Sequence, residues 1–234
     1  MKKQRISQEE YLAEKERREA KRLYDKVNKR YTTDARFFTV FRVGDKFKHN
    51  HTSDNLTVDG LAKFDKHNNR KGSVVNADPN KSHLNKIIIG SENVTEDVTM
   101  YLEGVKIGKN SVIARELILS GGNGFWNKLS DVDRERWISV NYKFLKDNFG
   151  DNCVYAIAHF DETTPHIHAL IVPVFWNEKR GLATLNNSYY FDGKDKLSKW
   201  QDIYTEIIQS EFPAMFKRGV RGSKATHVDL KTYY

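Results

Sequence analysis

The sequence predicts an α+β domain, one mainly antiparallel sheet flanked by helices, and three observations predict it. Short β-branched and aromatic runs such as Arg36-Phe-Phe-Thr-Val-Phe-Arg42 are bounded by polar or glycine-rich segments, as strands are. Longer stretches between them carry helical periodicity with capping residues. Near the centre of the pattern two apolar runs, Cys153 to Ala158 and Ile167 to Pro173, flank Asp161-Glu-Thr-Thr-Pro165, a turn-forming segment that joins them as an antiparallel pair. Strands interspersed with helices in this way give a sheet with helices packed on it.

In chain order, Ser7 to about Arg30 reads as a charged helix with Ser7 and Glu10 spaced as a capping box, so residues 1–35 are expected to be a charged helical extension. The domain proper, residues 36–234, opens on the strand at Arg36–Arg42. A long polar stretch follows up to Pro79, carrying His49, His51, His67, Arg70 and Lys71, and a loop of that length in a compact domain points to function. Lys86–Gly90 and Ser111–Ser120 read as strands and Val94–Glu103 as a short helix. Ser130 caps a helix that Gly150 ends, with Val132, Trp137, Val140, Tyr142 and Phe144 as its apolar surface. A last amphipathic helix runs from Asp195 to about Phe212 through Leu197, Trp200, Ile203, Tyr204 and Ile207. The tail from Lys217 to His227 is basic and glycine-rich.

Thirty-nine Lys and Arg against 31 Asp and Glu leave +8, which favours a polyanionic partner such as nucleic acid. A single cysteine, Cys153, excludes an internal disulfide, suits a reducing compartment, and lies in an apolar strand as inert core. No apolar run reaches the about 20 residues needed to span a bilayer, and Met-Lys-Lys-Gln-Arg leads into charged residues rather than a signal core, so a cytoplasmic protein without membrane insertion is expected.

The stretch from His159 to His168 carries the chemistry. Strand side chains alternate, so His166 and His168 share a face, and the turn returns His159 beside them. Three imidazoles meeting at a point, with coordination positions left open, suit a catalytic rather than a structural metal site. Three-histidine sites serve hydrolases, lyases and phosphoryl-transfer enzymes alike. For a nucleophile or base the sequence offers His49 and the tyrosines Tyr189, Tyr190 and Tyr204.

The pattern His-x-Asp-Glu-x-x-Pro-His-x-His at 159–168 resembles the signature of the Mob/Pre (MobV) plasmid mobilisation relaxases, within the HUH endonucleases. Phe47-Lys48-His49-Asn50 resembles that family's first motif, Asp78-Pro-Asn-Lys-Ser-His83-Leu-Asn85 its second, and Arg218-Gly219 with Ser223 to His227 a C-terminal one. The resemblance implies an HUH relaxase fold and a metal-dependent enzyme that nicks single-stranded or supercoiled DNA at an origin of transfer and religates it through a covalent 5′-phosphohistidine, with accessory mobilisation or coupling proteins as further partners. It implies a divalent ion, manganese or magnesium, on His159, His166 and His168, with His49 as nucleophile. Glu162 completes the metal shell or orients that nucleophile, and Asp161 orients a ligand from behind. His83 and Asn85 fall in a motif near the scissile phosphate, while Arg70, Lys71, Lys81, Arg115, Lys217, Arg218, Arg221 and Lys224 are available for DNA phosphates.

One departure stands out. The family commonly continues its first motif as His-Asn-Glu-Arg, whereas His49-Asn50 is followed by His51-Thr52, which makes His51 a rival. Tyr190 is the other alternative nucleophile, placed as the catalytic tyrosine is in replication initiators and transposases of the superfamily. A DNA-binding module with a structural metal is the non-catalytic alternative, and a small-phosphoester hydrolase fits the charge poorly. Such relaxases commonly continue beyond the catalytic domain, so a further C-terminal segment is expected.

Overall fold

A computed structural model of the chain describes residues 38–50, 57–58, 60–126, 129–213 and 216–221. The expected N-terminal helix, His51, and the basic tail beyond Arg221, Lys224 included, lie outside the described residues. The sheet contains β1 (Thr39–Asn50), the two-residue β2 (Thr57–Val58), β3 (Lys86–Ile89), β4 (Val112–Gly121), β5 (Cys153–His159) and β6 (His166–Ile171) in the order β2-β1-β4-β6-β5-β3, and every pairing is antiparallel. A separate hairpin, β7 (Val174–Asn177) and β8 (Leu182–Leu185), follows.

Helices cover both faces. α1 (Leu61–Asn68) and α2 (Val94–Tyr101) pack Leu61, Phe64, Val94 and Val98 against Tyr155, Ile157, Leu170 and Val172. On the other face, after the short α3 (Asn123–Trp126), α4 (Asp131–Phe149) brings Trp137, Phe144 and Leu145 onto Leu117, Leu119, Ile167 and Ala169. The one-turn α5 (Asn187–Phe191) precedes α6 (Lys194–Glu211), whose Tyr204 and Ile208 complete that core. The two cores explain why β6 reads as a nearly continuous apolar run: both of its faces are buried.

Ser130 does cap α4, its Oγ accepting from the Asp133 amide at 3.2 Å, and Gly150 follows the last turn. Val132 and Tyr142, expected on the apolar side, are exposed instead, because the stripe that faces the sheet runs through Trp137, Ile138, Asn141, Phe144 and Leu145. Burial pushes the Cys153 thiol up to about 12, in keeping with inert core.

The largest difference from expectation lies between residues 43 and 79. β1 runs on to Asn50, well past Arg42, and the polar stretch contains α1, whose apolar contribution is only Leu61 and Phe64. An eight-residue helix with so few apolar positions has weak periodicity and gains its stability from docking on the sheet.

Candidate metal centre and the fourth histidine

At one end of the β5–β6 ladder His159 pairs with His166, and His168 follows two residues on, on the same face. One ring nitrogen from each lies within 4.8 Å of the others. The remaining nitrogens are committed elsewhere. His159 Nε2 lies 2.9 Å from the Asn68 carbonyl and His166 Nδ1 lies 2.8 Å from the Thr164 carbonyl. A carbonyl only accepts, so each of these nitrogens carries the proton and the other keeps its lone pair. His168 Nδ1 lies 2.6 Å from Glu116 Oε1, which leaves Nε2 as its ligand atom in the same way.

The lone pairs therefore converge. His159 Nδ1 is buried with no hydrogen-bond partner among the described residues, and Glu162 Oε1 stands 3.8 Å from it and 3.9 Å from His166 Nε2. Protons do not relieve this crowding, because burial and the neighbouring imidazoles push His159 down to about 2 and His168 well below its ordinary value. A divalent cation does, and this donor set fits one, each imidazole being oriented from behind by a carbonyl or carboxylate.

A fourth imidazole stands beside the three. His67, on the last turn of α1, has its ring centroid 6.5 Å from that of His159 and 6.1 Å from that of His168. Burial lowers its pKa, which favours the neutral form. The three residues after it tie the segment to β5 and the turn beyond. The Asn68 carbonyl holds His159, Asn69 Oδ1 accepts from the Tyr155 hydroxyl at 2.7 Å, and Arg70 reaches both Asp161 and Glu162. The second motif supports the same turn. Ser82 Oγ donates to Asp161 at 2.9 Å, the Asp78 amide donates to the Asp161 carbonyl, and Asn85 Oδ1 accepts from the Phe160 amide. His83 is exposed on this short 3-10 turn.

The strand register does not bring His49 to the three histidines. The strand neighbour of His49, Lys48, pairs with Val112, whereas His166 pairs with Ser120, eight residues further along β4. At about 3.3 Å per residue that separates them by roughly 26 Å. Tyr190 is distant too. Its hydroxyl accepts from Asn152 Nδ2 at 2.8 Å and lies 3.2 Å from the Val174 carbonyl, at the end of the ladder opposite His159. The sequence signal for His67 is His67-Asn68-Asn69-Arg70, which carries the arginine missing after His49-Asn50.

Several basic residues expected on DNA are ion-paired within the fold. Arg70 is taken up by Asp161 and Glu162, Lys71 by Asp65, and Arg218 and Arg221 by Asp202 on α6. Arg115 pairs across to Ile171, three residues beyond His168, and its Nε is buried. Lys81 is half-exposed beside Asp78. Sequence reasoning passed over Glu116, whose carboxylate is the partner of His168.

A family model described as plasmid recombination enzyme, Mob/Pre, matches residues 47–234. The chain belongs to the Mob/Pre family. This Mob/Pre chain is 33% identical over 186 residues to a 65 kDa protein of Zymomonas mobilis, covering 76% of this chain and 30% of that one. It is 30% identical over 176 residues to a plasmid recombination enzyme of Lactiplantibacillus plantarum, covering 69% and 44%. It thus spans less than half the length of these relatives. Among solved structures it matches the manganese-bound MobM relaxase domain on plasmid pMV158 oriT DNA, with TM-score 0.68 at 25% identity over 84% of this chain and 97% of that one. No helix among the described residues is long and apolar enough to cross a membrane.

Proposed function

We propose that this Mob/Pre chain is a DNA relaxase that nicks one strand at an origin of transfer by transesterification and can reseal it, with His67 as the nucleophile. The observation that carries the reading is a fourth imidazole, His67, beside three convergent imidazole lone pairs. His159, His166 and His168 would hold a divalent ion, manganese or magnesium, which would supply Lewis-acid withdrawal of charge from the scissile phosphate.

The His67 ring attacks phosphorus in line with the departing 3′ oxygen, the phosphorus–O3′ bond breaks, and the 5′ end remains on the imidazole as a phosphoramidate. The proton on the second ring nitrogen of His67 leaves as the phosphoramidate forms and the departing 3′ oxygen takes one up, so the transfer is proton-neutral, with Glu162 as the nearby carboxylate to relay it. The liberated 3′-hydroxyl retains the means to reverse the step. Arg70, Asn69 and Asn68 hold the end of α1 so that His67 stays in place. DNA reaches this site as a single strand, guided by exposed cations such as Lys81 and by the overall positive charge. A cytoplasmic setting and accessory mobilisation proteins follow from this function.

Single-stranded oligonucleotides from the transfer origin of the element that encodes the chain, incubated with manganese, should yield an acid-labile adduct that mass spectrometry maps to His67. His67→Ala should lose it and His49→Ala should keep it. An acid-stable adduct on Tyr190 would establish the tyrosine mechanism instead. DNA and manganese binding without any adduct would make the chain a non-catalytic module.

A further inference from the structure

The geometry points to Glu116 as the positioning residue of the metal centre, set by a bulge in β1 at Gly44–Asp45 that was shaped to receive its carboxylate. This inference rests on the metal reading above.

Glu116 lies on β4, on the face that carries His168, and is almost fully buried. A carboxylate at an interior sheet position costs desolvation that a leucine or valine there would not, so its presence calls for a partner that uses the charge. Oε1 accepts a hydrogen bond from His168 Nδ1 at 2.6 Å. Oε2 accepts from the backbone amide of Asp45 at 3.3 Å. That amide is available because the β1–β4 register slips between Val43 and Lys46, leaving Gly44 and Asp45 out of the ladder.

Gly44 does not adopt a left-handed backbone, so its lack of a side chain is a matter of space. A Cβ there would overlap Glu116 Oε2 and stand 3.0 Å from Cδ and 3.1 Å from Cγ. The glycine and the slipped register thus form one cradle, which receives the outer oxygen so that the inner oxygen meets His168. An imidazole held this way has its ring plane and tautomer set before any ion arrives, and its Nε2 is made a stronger donor.

The test uses the full chain and manganese chloride as the probe, with affinity measured by calorimetry and folding followed by circular dichroism. Glu116→Gln, close to isosteric, should bind manganese roughly 10- to 100-fold more weakly than the parent while remaining folded. Gly44→Ala should also weaken binding, because the added methyl meets the movable end of a side chain and displaces the carboxylate. Combined with Glu116→Gln it should add no further loss, since both act through one group. Parent-like affinity in Glu116→Gln overturns the proposal, as does a Gly44→Ala penalty that persists undiminished in the Glu116→Gln background. A parent chain that binds no manganese overturns the metal reading itself, and this proposal with it.

Discussion

Arg70 holds both carboxylate oxygens of Asp161, from Nε at 2.8 Å and from Nη2 at 2.7 Å, while its own backbone sits at φ 52°, in the left-handed region. A non-glycine residue there carries strain of about 1–3 kcal/mol, which the surrounding contacts must offset. Here the offset is a forked ion pair to a side chain with no exposure, shared with Glu162. Burial alone would raise the Asp161 carboxyl, but the hydrogen bonds from Arg70 and Ser82 hold it well below the usual carboxylate range, and the arginine locks the turn after β5 to the end of α1.

Arg70→Ala leaves Asp161 buried without its cation. The expected loss is about 3 kcal/mol of unfolding free energy, the lower end for breaking a buried pair because Arg70 retains some exposure. Urea denaturation measures it, and a loss below about 1 kcal/mol would show that Ser82 and its neighbours hold the turn unaided.

Stability of the metal-free chain should fall as pH drops below about 6.5. The folded values of His159 and His168 lie below the ordinary histidine value, so the unfolded chain takes up protons that the folded chain refuses. Their contribution is present above pH 6.5 and declines on acidification, by up to about 1.4 kcal/mol per pH unit for each group. Asp161, a depressed carboxylate, acts only in a lower window, below about pH 4. Denaturation of chelator-treated protein at pH 7.5, 6.5 and 5.5 checks this, and a flat profile would contradict it.

Tyr190→Phe should retain adduct formation while costing about 1 kcal/mol, the worth of the lost hydrogen bonds to Asn152 and Val174. Loss of the adduct with stability intact would return the tyrosine to the chemistry.

Gly121→Ala tests the other face of the sheet. The new methyl would overlap Phe216 Cε1 and stand 2.9 Å from Cζ, and that ring is already packed on Phe125 with centroids 4.0 Å apart. Overpacking of this kind should cost about 1–3 kcal/mol. A thermal midpoint equal to that of the parent would mean that the Phe216 segment yields freely.

The three-histidine cluster was legible because its geometry is local. Strand alternation sets His166 and His168 on one face, and a turn of the expected composition brings back His159. The fourth histidine was harder to read. Two His-Asn pairs stand within twenty residues, and the one flanked by Phe47-Lys48 resembles the motif more closely at its front, while the one followed by Arg70 resembles it at its back. α1 hid in a polar stretch because Leu61 and Phe64 are its only apolar contacts with the sheet.

By itself the sequence determined the α+β class, the helix ending at Gly150, the three convergent histidines and, through its motifs, membership of the Mob/Pre family. Those features follow from local periodicity, capping and composition, which act over a few residues. Only the tertiary structure decided which histidine stands fourth, which arginines are already paired, and that Glu116 lies behind His168. Each of these depends on strand register and helix docking between residues far apart in the chain. A lysine or arginine looks the same in a sequence whether it faces solvent, a phosphate or a buried carboxylate.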